Sequence, residues 1–467
     1  MALEVLADNP HPDNIYSSLI QGQKFAVIPS LELESGDVLH SCPVAYKTWG
    51  RLNENADNVL VICHALTGSS DVGDWWAPLL GPGKAFDPRH FFIFCGNVLG
   101  SPYGSASPLT ADPLTGKRYG PSFPQTTVRD DVHAHRKVLD ALGVRSVAAV
   151  IGGSMGGMTA LEWPLCNDQG YVRGIIPIAT AADHSAWGIS WAETQRQCIY
   201  ADPVFDSGHY DPSPEGQPSA GLSAARMIAM LTYRSCVSFD HRFGRRPPRQ
   251  TQISNTSLDI SKTWGGPPMD LPRTNDAVVS SNKPVDKCGI RMTSQHVRSL
   301  SHTFSAQGYL HYQGEKFIGR FDANCYLHLT HKMDSHDVIR GRGLENLELN
   351  RPAIDGYESD EETLRKILSK VPPGALVISV ETDALFLPEQ QRRLAACLPN
   401  ASISILKSSD GHDGFLLEFE QLDALIQAKL RVDISQFYQQ VHMYEIVMTE
   451  IPGGQGEGSL TGEVEQW

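Results

Sequence analysis

Apolar positions along this chain fall into two alternating patterns. Short continuous apolar runs, the mark of strands buried on both faces, occupy 38–49, 58–63, 91–95, 147–151 and 174–179. Between the third and fourth lies a helical stripe. Thr127 with Asp130 forms a capping signal, Val132, Val138, Leu139 and Leu142 line one face, and Gly143 ends the segment. The polar run Glu34-Ser35-Gly36-Asp37 reads as a turn joining antiparallel edge strands. Strand and helix alternating in this way predict a mostly parallel sheet with covered faces.

From about residue 183 to 350 the strand signal stops. Helical patterns replace it at 187–200, 222–233 and 310–331, around a polar stretch, 244–287, rich in Pro, Ser, Thr and Asn and expected to be a loop. Alternation returns with the apolar run 375–380, a helix over 389–397, the run 402–406 and a long helix from 415 to about 432. The expected organisation is an α/β core in two pieces, 1–182 and 351–442, interrupted by a largely helical insertion, 183–350. A Gly- and Glu-rich tail, 443–467, follows.

Composition narrows the class without naming the chemistry. With 41% apolar and 20% charged residues among 467, the chain has the make-up of an ordinary globular protein. A formal charge of -14 argues against nucleic acid or an anionic membrane as the main partner. No apolar stretch is long enough to span a bilayer and the first residues lack a signal-peptide pattern, so a cytoplasmic protein is expected. The nine cysteines are odd in number, scattered and without a Cys-x-x-Cys pair, which predicts free thiols and no structural zinc. His133 and His135, two apart on a helix, do not face one another as metal ligands would, and no metal is expected.

The sharpest chemical signal is the run from Val147 to Trp163, where an apolar strand breaks at Gly152-Gly153-Ser154-Met155-Gly156-Gly157 and resumes as a helix. Such a turn lifts a serine hydroxyl above a sheet, with small residues two before and two after it because side chains there would collide with the adjoining strand and helix. Ser154 is the candidate nucleophile. It needs a base and an acid to orient that base, each expected after a late strand. The run 375–380 leads into Glu381-Thr382-Asp383, and the run 402–406 into Asp410-Gly411-His412-Asp413-Gly414. Asp383 is assigned as the acid, with Glu381 as its rival, and His412 as the base, with His64 as its competitor. Negative charge developing on an acyl group needs two donors. The amide of Met155 supplies one, and the amide of Leu66, in the loop after the run 58–63, is chosen for the other.

These motifs resemble those of the homoserine O-acetyltransferases, in particular fungal-type members, within the α/β-hydrolase superfamily. The matching segments are His64-Ala65-Leu66-Thr67-Gly68, Gly96-Asn97-Val98-Leu99-Gly100-Ser101, the Ser154 turn, Leu231-Thr232-Tyr233-Arg234-Ser235, Phe321 to Tyr326, Ser335 to Arg342 and Gly411 to Leu416. The resemblance implies an α/β-hydrolase fold whose helical insertion is a lid, and the triad Ser154, Asp383 and His412 with Leu66 and Met155 as oxyanion donors. It further implies that Arg234, with Arg196 as fallback, holds an amino acid's carboxylate and Asp413 its ammonium group, as guanidinium and carboxylate groups suit.

The activity implied is ping-pong transfer of acetyl from acetyl-CoA, a substrate rather than a bound cofactor, to L-homoserine, giving O-acetyl-L-homoserine for methionine biosynthesis. A homodimer formed through the lid is also implied. Serine or deacetylcephalosporin C as acceptor, a plain serine esterase, and a catalytically inert binding module are the alternatives. The polar stretch 244–287 departs from the family pattern as an insertion in the lid.

Overall fold

The computed structural model describes residues 3–6, 9–247, 304–342 and 357–439, with 357–360 as backbone alone. Of the polar loop expected over 244–287, residues 248–287 lie outside the described residues, as does the tail 443–467. Among the described residues nine strands form one sheet: β1 Glu4–Leu6, β2 Lys24–Glu32, β3 Val38–Trp49, β4 Val59–Cys63, β5 Phe92–Gly96, β6 Val147–Gly153, β7 Ile175–Ile178, β8 Leu376–Val380 and β9 Ser402–Leu406. Their order is β1-β2-β3-β5-β4-β6-β7-β8-β9. The first three pair antiparallel, as does β3 with β5, and all later pairings are parallel.

Alternation along the central strands decides which side chains go to which face. On β4, Val59, Val61 and Cys63 join one buried cluster while Leu60 and Ile62 join another, and Phe92 and Phe94 against Ile93 and Cys95 do the same on β5. The first cluster is closed by Val132, Val138 and Leu139 of α2 (Val128–Ala141) and by Ala160, Leu161 and Trp163 of α3 (Met155–Leu165). The second is closed by Val72 and Trp75 of α1 (Val72–Trp75) and by Leu422, Ile426 and Leu430 of the helix Phe419–Asp433. The capping box foreseen at Thr127 and Asp130 is present, and Gly143 adopts φ +84 just past the end of α2.

After β4 the chain steps to β5 on one side and then returns to β6 on the other. Ligands in such sheets bind beyond the strand ends at the point where the winding reverses. The loops after β4 and β6 therefore meet at the expected place for a site.

The chain divides into two compact units, one of Met1–Ser238 with His311–Trp467 and one of Phe239–Leu310. This differs from the expected boundary at 183. Helices α4 (Ala186–Tyr200) and α5 (Ser219–Tyr233) and the helix Ala323–Asp334 share a third buried cluster with Val98, Met155 and Met158, so most of the lid packs as part of the core unit. In the second unit, the rings of Phe239, Phe243 and Tyr309 lie 5.1–6.1 Å apart.

Two helices expected to be continuous are broken. The pattern over 310–331 divides into Ser305–Ile318 and Ala323–Asp334, because Asp322 turns out of the helical region and its side chain caps the amide of Cys325. The segment 415–432 divides at Glu418 (φ -86, ψ 55) into Gly414–Leu417 and Phe419–Asp433. A helix over Tyr357–Leu368 is present without having been foreseen.

Candidate active site

Ser154 sits between the last residue of β6 and the first of α3 with φ 58 and ψ -123, a conformation that costs a non-glycine residue about 1–3 kcal/mol. Its neighbours hold it there. The Ser154 amide donates to Ile178 O at 2.9 Å, and its carbonyl accepts from Thr180 Oγ1 at 2.9 Å and from the Gly157 and Met158 amides. A Cβ at Gly156 would lie 2.1 Å from Cys63 O, and one at Gly152 would lie 2.2 Å from Gly156 O. The collisions foreseen on both sides of the serine are thus real, and the glycines permit the close approach of β4, β6 and α3.

Asp383 and His412 are brought to this serine from more than two hundred residues away. Ser154 Oγ lies 2.8 Å from His412 Nε2, and His412 Nδ1 lies 2.7 Å from Asp383 Oδ2. With the Nδ1 proton donated to the carboxylate, Nε2 is left to accept the serine proton. Asp383 Oδ1 accepts from the Leu385 and Phe386 amides, both at 2.9 Å, so the acid is itself fixed. The rings of Phe386 and Phe415 stand 5.2 and 5.3 Å from the imidazole and shield the relay from water.

The rivals are elsewhere. β8 ends at Val380, so the alternation that would have aligned Glu381 with Asp383 stops short, and Glu381 is exposed. His64 is buried with both ring nitrogens engaged, Nδ1 with Ala65 O at 2.8 Å and Nε2 with the Val98 amide at 3.1 Å. Burial, with a contribution from Lys332, pushes it down to about 4. His133 is exposed while His135 is buried against Asn97 O, and no group of three or more potential metal ligands exists among the described residues.

The Met155 amide begins α3, where a helix lacks an internal acceptor for its first donors. Leu66 lies in the loop after β4, packed at the edge of the cluster that contains Met155. The carbonyls of Cys63 and His64 press against Gly156, which brings this loop to the start of α3.

The charged groups expected to grip a substrate instead contact each other. Arg234, at the end of α5, has Nε 2.8 Å from Asp413 Oδ2 and Nη1 3.3 Å from Asp410 Oδ1. Burial raises Asp413 above the usual carboxylate range, opposed by Arg234, His412 and Arg226. The fallback, Arg196, is committed to Asp334 at 2.7 Å and Glu193 at 2.8 Å. Arg226 was missed by the sequence reading. It is 3% exposed, its guanidinium lies 4.8 Å from the Phe317 ring and 5.6 Å from Tyr233, and Tyr233 in turn lies 6.2 Å from His412. The signal available was a lone arginine on the apolar face of α5 made by Leu222, Ala225 and Ala229, seven residues before Tyr233.

A serine on a strained strand-to-helix turn, with histidine and aspartate delivered after the last two strands, defines an enzyme of the α/β-hydrolase class. The family model described as alpha/beta hydrolase fold matches residues 58–419. Among curated relatives, the homoserine O-acetyltransferase of Cryptococcus neoformans var. grubii is 46% identical, with 97% of each chain covered. That of Schizosaccharomyces pombe is 42% identical, covering 99% of this chain and 97% of the relative. The chain belongs to the homoserine O-acetyltransferase family. Among solved structures, the homoserine O-acetyltransferase of Bacillus anthracis superposes with a TM-score of 0.66 at 20% identity, over 90% of this chain and 99% of that one. Esterase E22 does so with the same score at 22% identity, over 87% and 99%. Both share the fold.

Proposed function

We propose that the protein transfers the acetyl group of acetyl-CoA to the γ-hydroxyl of L-homoserine through an acetyl-Ser154 intermediate. The observation that carries this reading is the unbroken relay Ser154, His412, Asp383 beside a buried cluster of Arg226, Arg234 and Asp413.

His412 Nε2 takes the Ser154 proton as Oγ attacks the thioester carbon, and the oxyanion is held by the amides of Met155 and Leu66. The carbon–sulfur bond breaks and the proton passes from His412 to the departing CoA thiolate. Homoserine then enters. Its ammonium group takes Asp413, and its carboxylate takes Arg226 together with Arg234, which shifts its Asp413 contact to the new partner. His412 removes the γ-hydroxyl proton, the oxygen attacks the acetyl-serine, and Ser154 leaves with that proton. The chemistry draws on side chains and amides alone, and acetyl-CoA enters as a substrate.

A second copy of the chain docking on the lid belongs to the same reading, supported by exposed Trp187 of α4 and Leu231 of α5. The test of the function is turnover of acetyl-CoA against homoserine, serine, deacetylcephalosporin C and water. Homoserine should be acetylated fastest, because paired charges select a zwitterion over water and hold homoserine so that its hydroxyl, one carbon further out than that of serine, reaches the acetyl group. An equal rate with water would make the protein an esterase, and an equal rate with an uncharged alcohol would make it a transferase that does not select by charge.

A further inference from the structure

His64 ends β4 in a motif that the triad leaves unused, yet it is 1% exposed and both ring nitrogens are bonded to backbone. A backbone amide can only donate, so the Val98 N–H at 3.1 Å requires Nε2 to be the unprotonated acceptor. Nδ1 must then carry the proton and donate it to Ala65 O at 2.8 Å. Gly68 donates to the same carbonyl at 3.0 Å.

Ala65 O belongs to the same planar peptide as the Leu66 N–H, and in a trans peptide the two point in opposite directions. Two donors on Ala65 O therefore set the direction in which the Leu66 amide points. The ring that aims the peptide is itself anchored. Val98 adjoins Leu99, whose amide donates to Asp131 Oδ1 at 2.8 Å and whose carbonyl accepts from Lys332 Nζ at 2.7 Å. Lys332 and Asp131 form a fully buried ion pair at 2.7 Å. The chain of contacts thus runs from the lid helix Ala323–Asp334 through the loop after β5 to the loop after β4.

We infer that His64 is a positioning residue: in its neutral Nδ1–H tautomer it orients the Ala65–Leu66 peptide so that the Leu66 amide faces the acyl oxygen at Ser154. The inference rests on the acyl-transfer reading of Ser154. Burial and the nearby positive charge of Lys332, with His135 as the other titratable neighbour, keep the ring uncharged at neutral pH.

The test uses para-nitrophenyl acetate, which acetylates Ser154 without CoA or homoserine. Its burst counts active serines, and its rate reads oxyanion stabilisation per active site. In His64→Ala the burst amplitude should be retained while acetylation slows on the order of a hundredfold. His64→Asn keeps a donor near the Nδ1 position and should recover most of that loss. His64→Gln places its amide near Nε2 instead and should not. Unchanged per-site rates in His64→Ala, or recovery by Gln and not Asn, would overturn the inference.

Nitrogen NMR shifts of His64 in the wild-type protein provide a reading independent of any variant's folding. Protonated Nδ1 with unprotonated Nε2 is expected, and the opposite tautomer or an imidazolium would contradict it. A wild-type protein that forms no acetyl-Ser154 would overturn the acyl-transfer reading instead.

Discussion

Arg226 and Arg234 differ in what already surrounds them, and the difference predicts different losses. Arg234 compensates Asp410 and Asp413 on the two sides of the Gly411-His412 pair, so its removal disturbs the base as well as the acceptor. Arg226 packs on Phe317 and Tyr233 and is a step removed from His412. Arg226→Ala should lower kcat/KM for homoserine on the order of a hundredfold and change Ser154 acetylation by less than about tenfold. Arg234→Ala should slow both half-reactions. Stopped-flow acetylation and steady-state homoserine kinetics on the two variants check this, and the reverse pattern would exchange their roles. Ser154, Asp383 and His412 were legible in the sequence because each follows a short apolar run. Arg226 was not, because its meaning depends on Asp413, a neighbour supplied by a loop nearly two hundred residues away.

At the scale of elements, the turn from β6 to α3 carries the chemistry and has no room for change. Gly156→Ala would force a Cβ to 2.1 Å from the Cys63 carbonyl and push apart β4 and α3, together with the loop that bears Leu66. The expected result is a loss of at least about 1–3 kcal/mol, the cost of overpacking, and of most acetyl transfer. Thermal melting and turnover measure both, and a variant with wild-type values would show that the two loops need not touch. The strands were readable from their apolar runs. The break at 319–322 had readable punctuation, Gly319 and the cap Asp322, but the apolar pattern on both sides favoured a single helix. The motif Ser335 to Arg342, carried by resemblance alone, has a structural explanation. Arg340 pairs with Glu34, and Arg342 pairs with the fully buried Glu162, which also binds Arg129. These ion pairs return the chain from the lid to the core.

For the whole molecule, buried histidines couple stability to pH. Burial pushes His64 and His336 down to about 4 and His135 to about 3, with His328 also well below its ordinary value. The unfolded chain takes up protons near its ordinary histidine value of 6.5 that the folded chain refuses, so stability falls as pH drops through that region. Asp131, raised by burial to about 6, works in the opposite sense below that value. The clearest window is therefore from about pH 7.5 down to about pH 6, where unfolding free energy should fall by on the order of 3 kcal/mol per unit near pH 6.5. Denaturant unfolding across that window checks it, and a flat or rising curve would contradict it. The division into two units was not legible, because the lid's apolar faces read the same whether they pack on one another or on Met155 and Met158.

The expectations about catalysis all depend on Ser154 carrying the acetyl group between two substrates. The most direct measurement is mass spectrometry of the protein after incubation with acetyl-CoA alone, in the wild-type and Ser154→Ala forms. The account predicts one acetyl group on the peptide containing Ser154, its removal on adding homoserine with formation of O-acetyl-L-homoserine, and no label in a folded Ser154→Ala variant. An unmodified Ser154 under conditions of full turnover, with acetyl transfer persisting in Ser154→Ala, would contradict it.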